Sequence, residues 1–248
     1  MKNKINEILF LESRKNIKNF IIFFIFLLLI CFIFYHSDIF NFVAIFNGIP
    51  ALFTILGEMF PPDFSKILDW VYPALDSVAM SITATILSSI FAFPIALVAS
   101  RNINNNIFLY SIARCFLSVF RSIPEIILGL IIVISVGFGV LSGTLAITIH
   151  SVGMLGKFFS EGIERTNNNI TEIITASGAS KKHIIFFGIL PQITQEFIDL
   201  IMYRWEYNFR QSTILGIVGA GGIGFELLSS LRLMQYQEAS AILIIIIF

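Results

Sequence analysis

Apolar residues in this chain run in long uninterrupted blocks, each about the length of a helix that crosses a bilayer, roughly 20 residues. Residues 20–35, FIIFFIFLLLICFIFY, carry no charge and would be apolar on every side of a helix, which no soluble fold requires. The pattern places six membrane segments, near residues 19–35, 75–99, 108–136, 143–159, 186–218 and 239–248. Ionisable residues and proline interrupt the third and the fifth, and Asn-rich turns at 102–106 and 167–169 separate neighbours. The last block holds about ten apolar residues after Glu238, fewer than a bilayer requires. Arg14, Lys15 and Lys18 before the first block would suit a signal peptide. The block is longer than a signal h-region, however, and no small-x-small cleavage site follows it, so it reads as a retained helix. Residues 1–70 then form an N-terminal cytoplasmic segment, a first membrane helix and an outer (periplasmic) loop, and residues 71–248 form a transmembrane domain.

Composition agrees with the pattern. Hydrophobic residues make up 56% of the 248 and charged residues 13%, with a mean hydropathy of +0.87. A soluble domain carries about twice that charge fraction. The expected fold class is therefore all-α, a polytopic bundle. The formal net charge is zero, so global charge points to no nucleic-acid partner. Cys31 and Cys115 fall in apolar segments and read as small buried hydrophobes rather than a disulfide or a metal site.

Orientation follows from the basic residues. With the N-terminus inside, Lys2, Lys4, Arg14, Lys15, Lys18, Arg101, Arg114, Arg165, Lys181 and Lys182 are cytoplasmic. The other side receives Lys66 and Arg232 with Asp38, Glu58, Asp63, Asp69, Glu226 and Glu238. The longest cytoplasmic loop inside the bundle is then 166–185, which reads as two short helices around a glycine. Gly178 can supply the backbone of a tight turn, and Pro191 can occupy the first turn of the next membrane helix, where a missing N–H costs nothing. A polar helix-turn-helix of this kind suits docking to a soluble partner.

The spacing of Glu172, Gly178 and Leu190-Pro191 resembles the EAA loop of bacterial ABC importer permeases. Within that superfamily the chain looks most like the phosphonate-importer permeases. The matching residues are Arg121-Ser-Ile-Pro-Glu125, His150 with Gly153-Met-Leu-Gly-Lys157, Leu190-Pro191-Gln192, Tyr203-Arg-Trp-Glu-Tyr-Asn-Phe-Arg210 and the glycine-rich run from Thr213 to Gly224. The resemblance implies a type I ABC importer permease (MetI-like) fold in a bacterial inner membrane. It makes Glu172, Ala176, Gly178, Leu190 and Pro191 the ATPase-coupling residues of loop 166–191. It further implies a homodimer, a cytoplasmic ATPase dimer that holds ATP and Mg, and a periplasmic binding protein delivering a phosphorus oxyanion; no cofactor is expected on this chain. Ile173 and Ile174 depart from the small residues that usually follow the Glu.

Arg204, Glu206 and Arg210 fall inside the fifth segment, where an unpaired charge costs at least about 2.5–3.5 kcal/mol on insertion scales. Glu206 and Arg210 are spaced for an i,i+4 ion pair, whereas Arg204 has no carboxylate at that spacing, although Asp199 or another helix could supply one. Arg204, with Arg210, Glu206, His150 and Glu125, is therefore expected to line the pathway. His150 has no surrounding His/Cys/Asp cluster, which argues for a hydrogen-bonded bundle histidine over a metal ligand. Glu125 follows Pro124, which can kink the helix. Two readings from other classes compete. Glu125 and His150 would serve a proton-coupled secondary transporter, which leaves the cytoplasmic loop unexplained. Gly219, Gly221, Gly222 and Gly224 match a dinucleotide fingerprint as a bare pattern, with Glu238 at a ribose-like distance, but the segment before them belongs to a membrane helix and no sheet follows. These glycines better serve close helix packing and a helix break. Neither a Walker motif nor a nucleophile elbow is present in the sequence.

Overall fold

The computed structural model describes residues 2–37 and 41–247, without the side chains of residues 2–15 and 45; Asp38 and Phe248 lie outside the described residues. All regular structure among the described residues is helical. The chain divides into two units, Met1–Glu58 and Met59–Phe248. The first holds α1 (Lys2–His36) and α2 (Phe42–Glu58). Asn16–His36 of α1 is long and apolar enough to cross a membrane, and its Phe20, Phe23 and Phe26 are exposed, as residues that meet lipid must be. The helix α2 is a departure, because the sequence reads that stretch as loop; its apolar residues suit a helix, and Pro50 is held inside it.

The second unit contains α3 (Ile67–Val98), α4 (Ile107–Ser122), α5 (Glu125–Val136), α6 (Val140–Glu164), α7 (Asn168–Ala176), α8 (Lys181–His183), α9 (Leu190–Leu215), α10 (Ile223–Arg232) and α11 (Tyr236–Ile247). Asn106 and Asn167 from the two Asn-rich turns explain where helices begin. The side chain of Asn106 accepts from the first N–H groups of α4, and that of Asn167 accepts from Asn169 at the start of α7.

The buried helix α6 is the hub, packed by α3, α4, α5 and α9. Small side chains let these helices approach. On α3, Ser77, Ser81, Ala84, Ser88, Ala92 and Ala96 form a stripe of buried small residues facing the bundle. A side chain on Gly153 of α6 would meet the Arg121 nitrogen at 2.7 Å and the Leu117 oxygen at 2.9 Å, so α4 crosses α6 backbone against backbone. Near one end Phe159 stacks on Phe197 with ring centroids 4.0 Å apart. Residues that the charge pattern assigns to one side share one end of the bundle: Lys66 pairs with Glu238 at 2.7 Å, and at the other end Arg114 pairs with Glu164 at 2.7 Å.

Three helical stretches among the described residues are long and apolar enough to span a bilayer, and a fourth if a bent pair counts as one span. That pair is α4 and α5, which the sequence reads as the single segment 108–136 and which meet at 88°. The extended backbone of Ile123 and the missing N–H of Pro124 make the break. The helix α6 falls short of the apolar spans because it is inside the bundle, where Ser142, Thr144, Thr148, His150, Ser151 and Ser160 are buried. Both cysteines are free and exposed, which corrects the expectation that they are buried. In a membrane chain an apolar segment turns part of its surface to lipid, so apolar surroundings in sequence do not imply a core position.

Candidate translocation and coupling site

The second unit contains a buried polar network at mid-height. His150 lies ten residues from the start of α6 and fourteen from its end, about 15 Å and 21 Å along the axis. Beside it Arg204 of α9 is 3% exposed and Glu125, the first residue of α5, is 7% exposed. Arg204 Nη2 donates to Glu125 Oε1 at 2.9 Å and lies 2.9 Å from His150 Nδ1, and Arg204 Nε donates to Ser151 Oγ at 2.9 Å. Ser151 Oγ in turn donates to Asn208 Oδ1 at 3.0 Å, and Asn208 Nδ2 donates to Thr85 Oγ1 at 2.9 Å. The Tyr207 hydroxyl donates to Glu125 Oε2 at 3.2 Å, and its ring lies under the Arg204 guanidinium, 4.3 Å from centroid to Cζ. His150 Nδ1 also contacts the Glu125 carboxylate, while Nε2 faces the Arg121 carbonyl at 3.3 Å. Among the described residues no buried side-chain nitrogen or oxygen lacks a partner.

This geometry departs from the expectation that Arg204 lines the pathway, and it supplies from another helix the partner that Arg204 lacks on its own. Its counter-ion comes from another helix, it is closed inside the bundle, and its donors are taken up by Glu125 and Ser151. The group offers no free cation to a substrate. Glu125 and His150 are likewise turned inward toward Arg204. Glu206 and Arg210 do form their i,i+4 pair, and both side chains are about two-thirds exposed, at 67% and 66%. They belong to a stripe of exposed residues along α9, Gln195, Asp199, Tyr203, Glu206 and Arg210.

The glycine run ends this helix. Gly216–Ala220 is a π-helical turn, and Gly219, Gly221 and Gly222 have φ of 102°, 76° and 75°, a region that L side chains rarely adopt. Gly224 packs directly on the Thr213 carbonyl, and Ile223 N donates to Ser77 Oγ at 3.0 Å, which fixes the start of α10 to α3. This is backbone packing and a helix break, and no strand leads into it.

At the opposite end lies the loop that resembles a coupling element. Glu172 and Ala176 are exposed on α7, a helix with no buried residue. Gly178 follows with φ 80° and open space around it. The next helix is not separate, however. Lys181–Ala220 is one helical stretch, in which a π-helical turn (Ile184–Ile189) joins α8 to Leu190 and Pro191 of α9. The extra residue of that turn accommodates the proline, whose N–H is missing. Sequence reasoning missed Gln192. Its side chain donates to the Gly188 carbonyl at 2.6 Å and accepts from Asn167 N at 3.0 Å, which ties the start of α7 to α9. Between α7, the turn and the α3–α4 loop lies a cavity of about 480 Å³, lined in part by Asn102, Thr171, Glu172, Lys181 and Ile185.

Residues 92–248 match the profile of the binding-protein-dependent transport system inner membrane component family. The chain belongs to this family. It is 48% identical over 204 residues to the phosphite transport system permease protein PtxC of Stutzerimonas stutzeri, covering 82% of this chain and 74% of that one. It is 32% identical over 204 residues to the phosphate-import permease protein PhnE of Mycolicibacterium smegmatis, covering 82% of this permease and 38% of that protein. The fold resembles the inward-facing MetNI methionine ABC transporter with a TM-score of 0.66 and 19% identity, over 75% of this chain and 91% of that chain. The permease thus shares the MetI-like all-helical architecture.

Proposed function

We propose that this permease works as a homodimer, driven by a cytoplasmic ATPase dimer, and imports a phosphorus oxyanion of the phosphite or phosphonate class delivered by an outer binding protein. The permeases it resembles are named for phosphite and phosphate. The observation that carries the reading is the exposed stripe on α9. Asp199, Glu206 and Arg210 stand on the outside of a membrane-crossing helix, where lipid would be a costly neighbour. A second copy, related by a two-fold axis, would cover the stripe and leave a polar path between the two α9 helices. The same helix continues into the exposed loop at Gly178, so a force applied at α7 reaches the path through one element. Glu172, Ala176, Gly178, Leu190 and Pro191 form the ATPase-docking loop, with the N-terminus in the cytoplasm. A nine-residue helix with no buried face is marginal alone, and docking gives it a partner. ATP and Mg are bound by the ATPase, and this chain carries no cofactor.

The test is uptake of radiolabelled phosphite into proteoliposomes containing the permease, its ATPase and its binding protein. Uptake should require both ATP and the binding protein. Uptake that proceeds with a proton gradient and no ATP overturns the reading.

A further inference from the structure

We propose that Arg121, at the break between α4 and α5, is the cationic contact that the transported oxyanion makes at mid-membrane. The assignment rests on the substrate class argued above. Three observations lead to it. The first is depth. The Arg121 carbonyl faces His150 Nε2 at 3.3 Å, and His150 stands near the middle of α6. One imidazole ring separates that carbonyl from the Arg204 guanidinium, so Arg121 sits level with the buried network and with the middle of the α9 stripe.

The second is the account of charge at that depth. Arg204 is neutralised by Glu125 and Arg210 by Glu206. Arg121 is exposed, and among the described residues its guanidinium has no ion pair or hydrogen bond. The helix break explains why no carboxylate of its own chain answers it. Glu125 follows four residues later, which in an unbroken helix would place the two side chains one turn apart. The 88° bend carries Glu125 inward to Arg204 and leaves Arg121 outside.

The third is the cost of the alternative surroundings. A guanidinium at the bilayer centre facing lipid is unfavourable by at least about 2.5–3.5 kcal/mol. An aqueous path relieves that, and the planar fork of donors fits two oxygens of a tetrahedral phosphorus oxyanion. Because the residue is exposed and unclamped, the contact is weak enough to release the anion onward.

The experiment uses the whole importer with Cys31 and Cys115 replaced by alanine, then adds Arg121→Cys. Phosphite uptake should fall at least about tenfold, the equivalent of one hydrogen bond to a charged group. Modification by 2-aminoethyl methanethiosulfonate, which restores a positive charge, should recover uptake, while the sulfonatoethyl reagent should not. Excess phosphite should slow the labelling. Normal uptake in the variant, a thiol that neither reagent reaches, or recovery irrespective of reagent charge overturns the assignment. So does a variant whose permease no longer dimerises on size-exclusion chromatography, since Arg121 would then answer a carboxylate of the second copy. Failure of the substrate reading is separate: a wild-type complex that imports none of phosphite, methylphosphonate or phosphate.

Discussion

Replacing Arg204 by glutamine tests whether the mid-membrane network is scaffold or substrate site. The variant keeps the approximate shape and loses the charge. It leaves the Glu125 carboxylate, 7% exposed, with only the Tyr207 hydroxyl and His150, and it strips Ser151 Oγ of its donor. Removing one member of a buried pair costs about 3–5 kcal/mol, because the other charge is left uncompensated. That corresponds to roughly two to three and a half powers of ten in the folded-to-unfolded ratio. Adding Glu125→Gln removes the orphaned charge, so the double variant should be more stable than Arg204→Gln alone. The assay is equilibrium unfolding in mixed detergent micelles, followed by the fluorescence of Trp205, whose Nε1 donates to Ser81 Oγ at 3.2 Å one residue from the change. Phosphite uptake, normalised to folded complex, should stay near wild type. An Arg204→Gln protein of unchanged stability that transports nothing would refute this reasoning and return Arg204 to the pathway.

Three further outcomes follow from the loop and the helix crossings. Gly178→Val should lose stimulation of the ATPase because φ 80° costs an L residue about 1–2 kcal/mol; Gly178→Asn should retain most of it, since nothing lies within 4 Å of the added carbon and Asn tolerates this region. Gln192→Ala should free the Gly188 carbonyl and the Asn167 N–H, about 1 kcal/mol for each lost bond, and limited proteolysis should then cut within 167–180 faster than in the parent. Gly153→Leu should prevent α4 from seating on α6, where the added carbon would meet backbone at 2.7 Å, and the permease should aggregate on size-exclusion chromatography while Ile127→Leu does not.

Local features of the fold were legible because their causes are local. Pro124 announced the break, Gly178 the turn, and the Glu206–Arg210 spacing its ion pair. The partner of Arg204 was not, because Glu125 is 79 residues away in sequence and no spacing rule reaches across helices. A depth argument could have found it: two opposite charges in different membrane segments are each too costly alone, and pairing them satisfies both. The same blindness let Arg121 pass as part of a motif, since its importance lies in what the bend takes away from it. Hydropathy also understates α6, whose buried serines and threonines belong to a helix surrounded by other helices. Gln192 carried no signal beyond its place after Pro191; its two bonds exist only once α7 folds back on α9.

The placement of the two π-helical turns, Ile184–Ile189 and Gly216–Ala220, leads to a last prediction. Between them α9 is fixed on its inner face by Arg204 to α5 and α6 and by Asn208 to α3 and α6. Sliding that stretch against its neighbours would break several hydrogen bonds at once, some of them charge-assisted, in surroundings that offer no water as substitute. Among the described residues each turn has a single neutral tie of this kind, from Gln192 Nε2 to the Gly188 carbonyl and from Gly139 N to the Gly219 carbonyl, beside backbone bonds of poorer geometry. Motion driven from α7 should therefore concentrate in the turns, while residues 201–213 move with α5 and α6 as one body. Hydrogen exchange of the assembled importer, with and without ATP, measures this directly. Amides of 184–189 and 216–220 should change their exchange on ATP binding, and those of 204–212 should stay protected in both states. A rise in exchange confined to 204–212, with quiet turns, would mean that the network opens during transport and that its bonds belong to the cycle rather than to the frame.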